Sequence, residues 1–169
     1  MILPIVKYPE PVWQQPGEPV TEFDASLRAF VADMFETMYA AQGIGLAAPQ
    51  VNVSRRITVV DLSNGKDPEK KMAFINPEII ERHGKIYEEE GCLSFPEIRE
   101  KVVRAARVRV RAQDEYGKWF EAEGEELLSR CLQHEIDHLD GVLFIFRISG
   151  LKRDLALRKI RKMQRAGEW

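Results

Sequence analysis

The pentapeptide His134-Glu135-Ile136-Asp137-His138 constrains this chain more than any other stretch. On an α-helix, residues four apart share a face, so both imidazoles can reach one metal ion. The glutamate between them can serve as a general base toward a water that the ion activates. The chain holds only three histidines, and two of them fall in this motif. The spacing therefore predicts a metal-binding helix and hydrolytic chemistry.

Composition narrows the setting. A chain of 169 residues suggests a single domain, 1–169, with a real hydrophobic core. Net charge is −2, so the molecule as a whole has no general attraction to DNA or anionic lipid. No apolar run approaches the roughly 18 residues of a membrane span. The opening Met1-Ile2-Leu3-Pro4-Ile5-Val6-Lys7 lacks the pattern of a signal peptide, which makes a cytoplasmic location the expectation. In that compartment Cys92 and Cys131 are expected as a ligand or as packed thiols rather than as a disulfide.

Pro4, Pro9, Pro11, Pro16 and Pro19 predict an extended, turning N-terminal arm. Asp24 reads as an N-cap. Leu27, Phe30, Val31, Met34, Phe35, Met38 and Tyr39 then follow at helical spacing, ending near Gly43. Strands are expected over 56–61, over 72–76 and 78–82 with a break at Pro77, at 102–103 and over 108–112, and from Trp119 to Glu121 after a Tyr116-Gly117 turn. The metal-binding helix should run from Glu125 to Leu139 and stop at a left-handed Gly141. A basic helix follows over about 150–165. The order predicts an α+β fold, with antiparallel sheets packed around a central metal-binding helix and a helix near each terminus. The Gly43–Gln50 segment is either a plain loop or backbone that must approach a ligand closely.

At about 100° per residue, Leu127, Cys131, His134 and His138 fall within an arc of roughly 60°, with Glu135 at its edge. Leu128, Leu132 and Leu139 form a neighbouring stripe that can pack on the sheet. Arg130, Gln133, Asp137 and Asp140 lie off the arc. A catalytic metal needs a third protein ligand and an open position. His83, an acidic residue, Cys92 and Cys131 are the candidates. Cys92 is favoured because Gly91 and Pro96 impose irregular backbone around it, and because Cys131 would crowd three ligands onto one straight helix. His83 itself reads as a surface turn residue.

Three segments in this order resemble peptide deformylases: Gly43-Ile44-Gly45-Leu46-Ala47-Ala48-Pro49-Gln50, Glu90-Gly91-Cys92-Leu93-Ser94, and Gln133-His134-Glu135-Ile136-Asp137-His138-Leu139-Asp140-Gly141. The resemblance implies removal of the formyl group from formyl-methionyl nascent peptides. It implies Cys92, His134 and His138 as ligands of Fe2+, with Zn2+, Ni2+ or Co2+ able to substitute. It further implies Glu135 as the acid/base, Gln50 and the Leu93 N–H on the formyl oxygen, and Ile44 and Gly45 pairing with the peptide backbone. Leu127 and Cys131 would line the methionine pocket, Arg99 would stand at its mouth, and Glu90 and Arg104 would form a supporting pair behind the site. The basic residues of the last helix, Lys152, Arg153, Arg158, Lys159, Arg161, Lys162 and Arg165, would dock on the ribosome near the exit tunnel. Phe146 departs from the acidic residue that relatives often carry there. Two rival readings remain at this level: a metalloprotease-like peptidase, and a non-catalytic metal-stabilised module with a closed site that includes Cys131.

Overall fold

The computed structural model describes residues 1–169, the side chain of Gln14 excepted. The fold is built from three helices, α1 (Ala25–Ala40), α2 (Glu126–Leu139) and α3 (Gly150–Arg165), and seven strands, β1 (Gly45–Ala47), β2 (Ile57–Val60), β3 (Met72–His83), β4 (Ile86–Cys92), β5 (Phe95–Arg104), β6 (Arg107–Gln113) and β7 (Trp119–Glu125). Five strands form an antiparallel sheet in the order β1-β2-β3-β6-β7, and β4 and β5 form a separate hairpin. This is the mixed helix and antiparallel-sheet architecture that the pattern predicts.

Helix α1 starts where Asp24 caps it, its carboxylate accepting from the Leu27 N–H at 2.9 Å. Its buried stripe of Leu27, Val31, Met34, Phe35 and Met38 packs with Leu46, Ile57 and Val59. Helix α2 lies on the five-stranded sheet. Cys131, Leu132 and Ile136 meet Val60, Phe74, Val108 and Val110, with Leu128 beside them. The helix ends as expected: Gly141 has φ 77°, a conformation that only glycine adopts without strain. A third cluster joins Phe95, Ile98 and Val102 of β5 to Phe144 and to Ala156 and Ile160 of α3. No helix is long and apolar enough to cross a membrane.

Three features differ from the sequence expectation. The two pieces around Pro77 are one strand, β3, which bends through register shifts at Ile75/Glu78 and Ile79/Glu81, with Asn76 at φ 52°. Proline at such a shift needs no ladder hydrogen bond from its nitrogen, so it bends the strand without ending it. The stretch expected as two strand residues, 102–103, is the tail of a long hairpin whose first arm, β4, carries Glu88-Glu89-Glu90 and has no apolar alternation to announce it. The Gly43–Gln50 segment is neither of its two readings alone. It forms the short edge strand β1 followed by a 3-10 turn over Ala48–Val51.

Candidate metal centre and its pocket

Helix α2 and the β4–β5 turn bring three ligand atoms together. Cys92, His134 and His138 offer donors that all lie within 4.8 Å of one another. The Cys92 Sγ is 3.4 Å from His138 Nε2, which is 3.2 Å from His134 Nε2. His134 Nδ1 faces Glu90 Oε1 at 2.9 Å, so its N–H is directed to the carboxylate and the Nε2 lone pair points at the cluster. Three lone-pair atoms converging at this range suit a thiophilic or borderline divalent cation. Cys131 does not belong to this group, nor does His83, which is exposed and faces Glu81 at the far end of β3. Both cysteines are free thiols.

Glu90 is itself held from behind. Arg104 donates to both its oxygens, Nε to Oε2 at 2.8 Å and Nη2 to Oε1 at 2.9 Å. Burial alone would raise the Glu90 pKa. The bonds from His134 and Arg104 outweigh burial and bring it to about 2. His134 is buried, yet its hydrogen bonds to Cys92 and Glu90 hold its pKa well above the usual histidine range, so a cation bound at Nε2 would displace a proton from it. Burial, with the charges of His134 and Arg104, pushes His138 well below that range. Burial lifts Glu135 to about 7, against the pull of His134. Its Oε1 has no protein partner among the described residues. A buried carboxylate with one free oxygen beside a ligand cluster can accept a proton near neutral pH and give it back.

The pocket that opens over this cluster has a volume of about 340 Å³. One wall is β1, an edge strand paired only with β2, preceded by Gly43 and Ile44. The opposite wall is Gly91, Cys92 and Leu93. Leu127, Cys131, His134 and Glu135 form the floor. Burial holds the Cys131 thiol well above its usual pKa, so it stays protonated. Gln50 is buried; its Oε1 accepts from the Ala47 N–H at 2.9 Å, which aims Nε2 toward Cys92 Sγ (3.6 Å) and Ser94 Oγ (3.3 Å). Arg99 also lines the pocket, its Nε donating to Glu89 at 2.6 Å. Phe146 is a half-exposed surface residue under Arg153, so its departure does not reach the pocket.

Two residues off the ligand arc of α2, Gln133 and Asp137, are hydrogen-bonded into the body of the protein. Gln133 Nε2 donates to the Ala105 and Ser129 carbonyls, and Asp137 accepts from Arg104 and Arg147. Helix phase could place these side chains but could not reveal partners that arrive from β5 and from the turn before α3.

A family model described as polypeptide deformylase matches residues 2–154. The peptide deformylase of Acidobacterium capsulatum is 72% identical over 169 residues, covering 100% of this chain and 99% of its own. That of Chromobacterium violaceum is 49% identical, covering 97% of each. The crystal structure of a peptide deformylase from Legionella pneumophila superposes with a TM-score of 0.92 at 47% identity, covering 99% of this chain and 98% of that one.

Proposed function

The chain belongs to the peptide deformylase family of metal-dependent hydrolases, and from that premise we propose how its own residues remove the formyl group from formyl-methionyl peptides. The single observation that carries the reading is the convergence of Cys92, His134 and His138 beside a buried Glu135 that has a free oxygen.

Cys92, His134 and His138 would hold a divalent cation, which would supply Lewis acidity toward water and the formyl carbonyl. Glu135 takes the proton that the attacking water gives up and passes it to the leaving amine nitrogen. Gln50 Nε2 and the Leu93 N–H donate to the formyl oxygen as it gains charge. Gly45, which opens the edge strand β1, and Ile44 just before it pair with the peptide backbone in the manner of an added strand. Leu127 and Cys131 form an apolar floor for the methionine side chain, and Arg99 closes the mouth. Glu90 and Arg104 orient His134. A mixed thiolate and imidazole set suits Fe2+, which we assign, and Zn2+, Ni2+ or Co2+ can substitute for it.

The test is hydrolysis of a formyl-Met peptide against the same peptide without formyl, with metal content measured on the same sample. Formate release from the first alone is expected. Internal cleavage of the unformylated peptide would favour the peptidase reading instead. The closed-module reading loses support because Cys131 is absent from the ligand group.

We place the reaction in the cytoplasm, at the ribosome. The α3 face carrying Arg158, Lys159, Arg161, Lys162 and Arg165 is exposed, while Ala156, Ile160 and Met163 anchor the helix to the body. Removing α3 would strip the cluster around Phe95, so charge removal is the cleaner test. Exchanging Arg158, Arg161, Lys162 and Arg165 for Gln should abolish salt-sensitive co-sedimentation with ribosomes while formyl-peptide hydrolysis persists. Undiminished co-sedimentation would remove the docking role.

A further inference from the structure

A buried chain of charges runs behind the pocket and reaches the surface. His134 Nδ1 faces Glu90 at 2.9 Å, and Arg104 holds both Glu90 oxygens. The third donor of Arg104, Nη1, reaches Asp137 Oδ2 at 2.6 Å. Asp137 then accepts from Arg147, Nη2 to Oδ1 at 2.9 Å and Nε to Oδ2 at 3.2 Å. Glu90, Arg104 and Asp137 are buried, whereas the Arg147 side chain is 48% exposed. Arg147 sits in the 3-10 turn Phe144–Arg147, immediately before α3.

We infer that Asp137 and Arg147 are positioning residues for the metal site, acting through Arg104 and Glu90 on His134. This rests on the reading that Cys92, His134 and His138 hold the metal.

The charges alternate along the chain, with Glu90 and Asp137 negative and Arg104 and Arg147 positive. Arg104 and Asp137 therefore each have an opposite charge on both sides, and Glu90 has Arg104 on one side and the His134 N–H on the other, so no buried charge is left unpaired. Arg104 must keep its guanidinium plane fixed to present two parallel N–H groups to Glu90, and that plane is set from the other end by Asp137. Asp137 lies on α2 three residues after His134, so helix and hairpin are tied together at the ligand itself. Arg147 completes the neutralisation of Asp137. Without it, Asp137 carries its full charge against Arg104 alone. It would then draw Arg104 away from Glu90 and loosen the bond that fixes the His134 tautomer and ring orientation.

Removing a partner that touches a metal-ligating histidine typically costs about 10–100-fold in metal affinity. Arg147 acts three residues further back, behind Arg104 and Asp137, so a smaller loss of about three- to tenfold is expected for Arg147→Met. Arg147→Lys, which keeps the charge but not the fork, should recover part of it.

The experiment titrates the metal-free protein with Co2+ against a competing chelator and records the thiolate-to-cobalt absorption band. The parent, Arg147→Met, Arg147→Lys, Asp137→Asn, Glu90→Gln and the Arg147→Met/Glu90→Gln double variant are compared. Weaker Co2+ binding and a shifted band in Arg147→Met, partial recovery in Arg147→Lys, and no further loss from Arg147→Met once Glu90 is Gln are the expected results. Parent-like affinity and spectrum in Arg147→Met, or a loss that persists unchanged in the Glu90→Gln background, would overturn the inference while leaving the metal site itself standing. No Co2+ binding by the parent would overturn the metal reading and the inference together. Arg147 is half-exposed and outside the core clusters, so its variants should fold; thermal unfolding of each checks this.

Discussion

The methyl group that Gly45 lacks would stand 2.7 Å from Glu135 Oε2, and 2.8 Å from the Cys131 Sγ. The edge strand and the helix carrying the proposed base thus meet in a gap only glycine leaves open. Gly45→Ala should displace the Glu135 carboxylate without touching a ligand. A misplacement of order 1 Å at a reacting group costs about 10² in rate, so kcat should fall by that factor with metal content unchanged. Parent-like kcat in the Ala variant would mean that Glu135 need not hold its observed position. Glu135→Ala should likewise keep metal, and its turnover should fall further.

Glu90 joins the charge network to the ligand set. Glu90→Gln keeps the shape but removes the carboxylate that receives the His134 Nδ1–H and that Arg104 neutralises. Metal affinity should fall about 10–100-fold, and the buried Arg104 left with one fewer counter-charge should also lower stability. Equilibrium dialysis against Zn2+ and a thermal melt of the same variant read the two effects separately. A variant that binds Zn2+ as tightly as the parent would show that Glu90 does not support the ligand.

These relationships were legible in the sequence to different depths. The His134–His138 spacing, the Asp24 cap and the Gly141 stop are short-range signals; α2 appears within a residue of expectation, and α1 starts at its expected cap and ends three residues before Gly43. The β4–β5 hairpin was not visible because it is two-stranded and carries Glu88, Glu89 and Glu90 in one run, so no face reads as apolar. Pro96 rules out a helix after Cys92, as expected, and is the second residue of β5. Asp137 and Arg147 were invisible for a different reason. Their partners come from other elements, and helix phase describes only a residue's own element.

A separate buried carboxylate governs stability at low pH. Asp61, fully buried, accepts from Tyr39 Oη (2.6 Å), Ser63 Oγ (2.6 Å), the Ser63 N–H (2.9 Å) and the Gly65 N–H (3.0 Å). Burial works to raise its pKa, and these four donors outweigh burial and hold it below the ordinary 3.8. A depressed folded-state pKa means that the ionised form contributes stability above the unfolded value and loses it as pH falls through the folded value. Asp61→Asn should therefore cost about 1–3 kcal/mol near neutral pH, where charged hydrogen bonds are lost. That deficit should stay constant down to about pH 5 and shrink below pH 4, where the parent protonates as well. Urea unfolding at pH 7, 5 and 3 measures it. A deficit that is equal at all three values would rule out the ionised carboxylate as its source.

The two cysteines should part company on substitution. Cys92 is in the ligand group, and Cys131 is a protonated thiol on the pocket floor, its Sγ 3.8 Å from the Ile44 carbonyl. Cys92→Ser replaces a thiolate with a poor ligand and should release most of the metal; Cys131→Ser should retain it and raise KM for formyl-Met peptides by placing a hydroxyl against the methionine side chain. Metal loss has a second signature. A cation present at about 100 times its Kd stabilises the folded chain by about 2.7 kcal/mol. At about 2–4 °C per kcal/mol for a chain of this size, chelation should lower the parent Tm by roughly 5–11 °C. The same chelator should leave Cys92→Ser nearly unmoved, because that variant has little bound metal to lose, and should shift Cys131→Ser as far as the parent. An unshifted parent melt, or a Cys131→Ser protein that no longer responds to the chelator, would require a different ligand set from the one assigned to Cys92, His134 and His138.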